Sequence, residues 1–169
     1  MNYSEDSTNF MKAALREANR AMEKDEVPVG AVIVYKNQII AKGHNQVEML
    51  NDTTAHAEMI AITSASDYLK NWRLTECDIY VTLEPCIMCT GALLAARVKN
   101  IYFSTYDTKF GACGSVHNLA ERSKTNHTIN VYSGLLLDES RLMLDHFFKL
   151  MRMKQFNNDN RKSIEENLN

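Results

Sequence analysis

No apolar run in the 169 residues approaches the length of a membrane span. The stretch Met1 to Phe10, polar and acidic with neither a basic start nor an apolar core, makes no secretory signal. A cytoplasmic chain without a membrane partner is therefore expected. An excess of one charge is also lacking. Nineteen Lys and Arg stand against 21 Asp and Glu, a formal net charge of −2, which argues against a protein that is basic all over. Basic residues nevertheless gather locally. Lys149, Arg152, Lys154, Arg161 and Lys162 are opposed only by Asp159 between positions 149 and 162, and it is the local field that meets phosphates. There is no internal repeat, and no low-complexity segment beyond an Asn-rich tail. The length suits one compact domain over 1–156, with 157–169 expected to be a disordered tail. Cysteine is scarce: two of the four fall in C-x-x-C, which points to metal binding before disulfides.

Apolar residues from Phe10 to Met22 recur at helical spacing, with Glu5 and Asp6 near the start, and predict an amphipathic helix from about Ser7 to Lys24. Val27 to Tyr35 and Gln38 to Lys42 read as strands joined at Lys36-Asn37 in a hairpin. A polar loop from Gly43 ends at Asp52-Thr53-Thr54, a cluster suited to capping a helix that runs to about Leu69. Asp78 to Leu83 is a strand, Pro85 marks the start of an apolar helix from about Cys86 to Arg97, and Asn100 to Thr105 is a fourth strand. A long connection, Asp107 to Asn126, has the length of a functional loop. A short strand at Ile129 to Ser133 and a helix from Asp138 to about Gln155 complete the chain. The alternation predicts an α/β protein with a mixed five-stranded sheet and helices on both faces.

The chemistry concentrates in two pieces, His56-Ala57-Glu58 and Pro85-Cys86-Ile87-Met88-Cys89. Two Cys three apart at a helix start point the same way, and a His from a second helix completes a three-ligand face for zinc with the fourth position left for water. Helix starts also favour thiolates. Glu58 is placed to serve that water as base and then acid without binding the metal. A closed structural zinc site would need a fourth ligand, for which Cys77, Cys113, His44, His117 and His127 are the candidates. A structural site has no need of a carboxylate at position 58.

The pattern H-x-E with P-C-x-x-C resembles that of zinc nucleobase deaminases. Glu26-Val27-Pro28-Val29-Gly30-Ala31, Gly43-His44-Asn45, Thr54-Ala55-His56-Ala57-Glu58, Tyr80 to Ala92 and Gly111-Ala112-Cys113-Gly114-Ser115 further resemble the bacterial tRNA-specific adenosine deaminases, from about Phe10 to Gln155. The resemblance implies a three-layer cytidine-deaminase-like fold, a homodimer, one Zn2+ per subunit on His56, Cys86 and Cys89, and proton transfer by Glu58. It implies hydrolysis of the wobble adenosine of a tRNA anticodon loop to inosine, with RNA and not DNA as partner. Asn45 would contact the base, Val29 and Leu83 would line its pocket, Asp107 and Lys109 would meet the RNA backbone, and Phe148 would grip the anticodon loop. Thr53, Ser104-Thr105-Tyr106, Thr128 and Met151 depart from the family pattern, away from the zinc ligands. Two other readings compete: a free-base deaminase such as guanine deaminase, which shares the zinc motifs, and a non-catalytic zinc module that only binds RNA or a partner subunit.

Overall fold

The computed structural model describes residues 3–122 and 127–166. Helix α1 (Glu5–Met22) begins two residues earlier than its apolar periodicity predicts, because the Ser4 side chain accepts the Ser7 N–H and caps it. Strands β1 (Gly30–Tyr35) and β2 (Gln38–His44) form the expected hairpin. Lys36 and Asn37 both take positive φ, 47° and 62°, the turn that matches the twist of two antiparallel strands. A one-turn helix, α2 (Val47–Leu50), interrupts the polar loop, and α3 (Ala57–Leu69) follows. Then come β3 (Cys77–Leu83), α4 (Ile87–Ala95), β4 (Asn100–Thr105), α5 (Leu119–Arg122), β5 (Asn130–Ser133) and α6 (Leu137–Glu166).

The sheet order is β2-β1-β3-β4-β5, with β1 antiparallel to both neighbours and β3, β4 and β5 parallel. Strand alternation divides the apolar residues between two layers. Ala31, Ile33, Ile79, Val81, Ile101 and Phe103 pack with Ala57, Ala61 and Ala65 of α3 and Leu93 and Leu94 of α4. Val32, Val34 and Tyr80 pack on the other face with Met11, Ala13 and Ala14 of α1. Each large side chain so buried contributes about 1.5–3 kcal/mol. Gly43 is required for closeness: a Cβ there would run into the Ala57 carbonyl, so β2 lies directly against the start of α3.

Two expectations are corrected. The helix carrying Glu58 is not capped by Asp52-Thr53-Thr54: its N-cap is His56, while Asp52 closes a local turn by accepting from the Thr54 N–H at 2.8 Å. The last helix does not end near Gln155. It continues to Glu166, through residues expected to be disordered. No Gly or Pro interrupts 137–166, and the weak propensity of Asn costs only tenths of a kcal/mol per residue once a helix is running. Residues 123–126 of the long connection, 167–169 of the expected tail, and the side chains of Arg161 and Lys162 lie outside the described residues. Among the described residues no helix is long and apolar enough to cross a membrane.

Candidate active site

The carboxyl ends of the parallel strands β3 and β4 and the amino end of the antiparallel β1 meet at one edge of the sheet, the kind of switch in strand direction where open sheets bind ligands. His56 is the N-cap of α3 and Cys86 the N-cap of α4. An N-cap side chain ordinarily accepts a backbone N–H of the first turn. Neither does so here; both are turned to each other and to Cys89. His56 Nδ1 lies 3.7 Å from Cys86 Sγ and 3.5 Å from Cys89 Sγ, and the three donor atoms all lie within 4.8 Å of one another.

This donor set fits zinc. Metal bonds of about 2.0–2.3 Å in a tetrahedron put nitrogen and sulfur donors about 3.6 Å apart, close to both observed separations. The cluster also carries protons that a cation would displace. A hydrogen bond from Cys89, aided by His56, holds the Cys86 thiol down at about 4, and the same bond together with burial pushes Cys89 up. The bond to Cys86 raises His56. None of the candidate fourth ligands joins the set among the described residues. Cys113 Sγ is 3.4 Å from Thr90 Oγ1, Cys77 begins β3 at the far end of the sheet, and His44 lies 3.4 Å from Glu17. His117 is exposed, and His127 Nε2 is 2.8 Å from the Val98 carbonyl.

Glu58, the second residue of α3, is 3% exposed. Its Oε2 is buried without a hydrogen-bond partner, and burial raises its carboxyl above the usual range. A buried carboxylate oxygen with no donor is costly, and is explained where a ligand supplies the donor.

The remaining expected residues divide by position. Val29, just before β1, and Leu83, ending β3, are set in the core layer below the site edge. Asn45, just after β2, is 7% exposed, and its N–H donates to the Val29 carbonyl at 3.0 Å. Asp107 and Lys109 lie in the loop after β4, where Asp107 Oδ1 accepts the Lys109 N–H at 2.8 Å. Phe148 is on α6, exposed and in edge contact with Phe147. The departures at Ser104 and Tyr106 tie the end of β4 to the segment that leads into α6: Ser104 Oγ donates to the carbonyl of Leu136, just before α6, at 2.7 Å, and the Tyr106 hydroxyl is 2.9 Å from Oγ of Ser133, the last residue of β5.

The organiser of the 107–115 loop is a residue to which no chemistry was assigned from sequence. Glu84 is 2% exposed and accepts three backbone N–H groups, from Asp107 at 3.1 Å, Cys113 at 2.9 Å and Ser115 at 3.1 Å. Gly111 closes over it; a Cβ there would collide with Glu84 Oε2. The loop is pinned to the metal-site strand as well, since Gly111 bridges Cys86 and the Ala112 N–H donates to the Pro85 carbonyl at 2.9 Å. Only the position of Glu84, immediately before Pro-Cys, hinted at this from sequence.

These features define a zinc-dependent deaminase, and the chain belongs to the cytidine and deoxycytidylate deaminase zinc-binding family, whose model matches residues 4–105. Within that class the likeness is to a particular enzyme. The tRNA-specific adenosine deaminase of Aquifex aeolicus is 49% identical over 143 residues, 85% of this chain and 94% of that one. That of Bacillus subtilis is 44% identical over 146 residues, 86% and 91% of the two chains. A solved structure from studies of A-to-I editing by tRNA:A34 deaminases at the wobble position of transfer RNA superposes with a TM-score of 0.78 at 44% identity, covering 81% of this chain and 99% of that one. The expected cytidine-deaminase-like fold is thus the observed one.

Proposed function

We propose that the protein hydrolyses the wobble adenosine of a tRNA anticodon loop to inosine, releasing ammonia. The observation that carries the reaction is the buried, unpartnered Oε2 of Glu58 beside the His56, Cys86 and Cys89 donors. The likeness to tRNA-specific adenosine deaminases supports the substrate. His56, Cys86 and Cys89 would hold zinc, which would supply the Lewis acidity that eases loss of a proton from water near neutral pH. Glu58 takes the proton of the attacking water on Oε2. It delivers that proton to the ring nitrogen beside the attacked carbon and then carries the proton of the newly added hydroxyl to the departing amine, so that the C–N bond breaks as the carbonyl forms and adenosine and water become inosine and ammonia. Its raised affinity for a proton suits both halves of this task, and burial is the cause.

Asn45 contacts the base, which is splayed out of its loop into a pocket walled by Val29 and Leu83. Asp107 and Lys109 meet the RNA backbone, and Phe148 on α6 grips the anticodon loop. The chain works as one cytoplasmic domain over 1–156, in a homodimer. The apolar helix α4 supports the dimer: it buries Cys89, Leu93 and Leu94 but leaves Ile87, Gly91 and Ala95 exposed one turn apart along a single face. The deciding assay offers purified zinc protein three substrates, tRNA bearing adenosine at the wobble position, free adenosine and guanine, and measures inosine and ammonia. Inosine from the tRNA alone is expected. Release of ammonia from guanine without reaction of the tRNA would make the protein a free-base deaminase instead.

A further inference from the structure

Glu26 lies between α1 and β1 and is 1% exposed. Both of its oxygens are engaged: Oε1 accepts the Met49 N–H at 2.7 Å and Oε2 accepts from Asn45 Nδ2 at 3.0 Å. Both oxygens act as acceptors in these bonds. The side-chain amide of Asn45 must therefore turn its NH2 toward Glu26, which leaves Oδ1 on the opposite side. The two orientations of an amide are nearly identical in shape, so the hydrogen-bond partner decides between them.

We propose that Glu26 is a positioning residue that sets the donor and acceptor pattern Asn45 offers the base, and through it the choice of base. The inference rests on the reading of Asn45 as the base contact. The geometry makes the dependence sharp. In Glu26→Gln, which keeps the shape, the Met49 N–H still needs an acceptor and holds the Gln oxygen in the place of Oε1. The Gln NH2 then occupies the place of Oε2, where it faces Asn45 and must find an acceptor. Asn45 can supply one only by rotating its amide, which exchanges NH2 and Oδ1 on the side away from residue 26. One isosteric substitution thus inverts the pattern without touching zinc ligands or Glu58. A second restores it. In Glu26→Gln/Asn45→Asp the Gln NH2 donates to one carboxylate oxygen of residue 45, and the other oxygen again stands where Oδ1 stood.

The test compares the zinc-loaded wild type with Glu26→Gln, Asn45→Ala, Glu26→Gln/Asn45→Ala and Glu26→Gln/Asn45→Asp, on tRNA carrying a wobble adenosine. Initial rates, zinc content and melting temperature are measured together. Glu26→Gln is expected to lower kcat/KM about 10- to 100-fold, the effect of presenting a mismatched polar group. It should cause no further loss on the Asn45→Ala background, and at least about tenfold of the activity should return with Asn45→Asp. Multiplying effects of Glu26→Gln and Asn45→Ala would overturn the inference, as would wild-type activity in Glu26→Gln. Where Glu26→Gln melts lower, the Asn45→Asp partner is expected to recover both temperature and rate; recovery of temperature alone would leave Glu26 a purely structural residue. A wild-type protein inactive on this tRNA would refute the proposed substrate, whereas an active wild type with an unaffected Glu26→Gln refutes only the role of Glu26.

Discussion

Glu58 and Glu84 are the same residue type at almost the same depth, 3% and 2% exposed, and both lie between the ligands His56 and Cys86 in sequence, each two residues from one of them. One is left with a buried oxygen that has no partner; the other accepts three backbone N–H groups. A buried carboxylate costs several kcal/mol unless hydrogen bonds replace its water. Glu84 meets that condition and so organises structure. Glu58 fails it within the chain, so its desolvation is retained for a proton that arrives with the substrate water. Completeness of hydrogen bonding, not depth, separates the residue that builds the site from the residue that reacts in it.

The largest effect should come from Glu58→Gln. An amide of the same shape cannot carry a proton between water and ring, and general acid–base catalysis of this kind contributes about 10²–10⁴-fold. Turnover should fall at least about a thousandfold, with one zinc still bound per chain and a melting temperature equal to or above the wild type, because a neutral amide replaces a buried carboxyl whose Oε2 has no hydrogen-bond partner. Loss of stability with retained activity would erase the distinction from Glu84.

Glu84→Gln should show the reverse balance. The Gln NH2 can satisfy none of the three N–H donors, so at least one is left buried without an acceptor, at a cost of about 2 kcal/mol, or roughly 4–8 °C in melting temperature for a chain of this size. Activity should drop about tenfold, mainly through KM, because the 107–115 loop is proposed to hold RNA and not to react. Gly111→Ala, whose methyl would enter the same space, should reproduce this pattern. A Glu84→Gln protein that melts normally but has lost kcat would place that residue with Glu58.

The two carboxylates also mark how far the sequence could be read. Glu58 was legible because its partners are side chains with identities: His56, Cys86 and Cys89 at fixed spacings state a donor set and an open position before any coordinates exist. The five strands with helices on both faces were legible as well, from the order of the strand-like runs and the helical periods along the chain, and both faces of the sheet are indeed packed. Glu84 was not, because its partners are backbone N–H groups 23 to 31 residues away, and a backbone donor leaves no trace in composition. The 107–115 loop could therefore be read from sequence only as part of a long connection with the length of a functional loop. Glu26 was hidden likewise, with Asn45 and the Met49 N–H 19 and 23 residues on. The shift of the α3 cap to His56 has the same origin. Asp52-Thr53-Thr54 makes a good local turn, but the position of the first helical residue is decided by where a zinc ligand must stand.

Two thiols, one half-buried and one buried, extend the contrast and give the smallest effect. Cys86 is held at about 4 by Cys89 and His56, whereas burial, with Asp78 and Glu76 adding to it, pushes Cys77 up to about 11 from an ordinary 9.0. Below pH 9 the Cys77 thiol is protonated in both the folded and the unfolded chain and contributes no pH dependence. Between 9 and about 11 the unfolded chain releases a proton that the folded chain keeps, so stability falls as pH rises through that window. The melting temperature of the wild type should therefore decline more steeply from pH 9 to 11 than that of Cys77→Ala, although the variant starts lower because it leaves a small cavity. At pH 8 the native zinc protein should leave Cys77 unmodified by iodoacetamide, a thiolate reaction. Parallel melting curves across that pH range, or rapid alkylation of Cys77 at pH 8, would show that this buried thiol is not inert and that depth alone does not make a group silent in this protein.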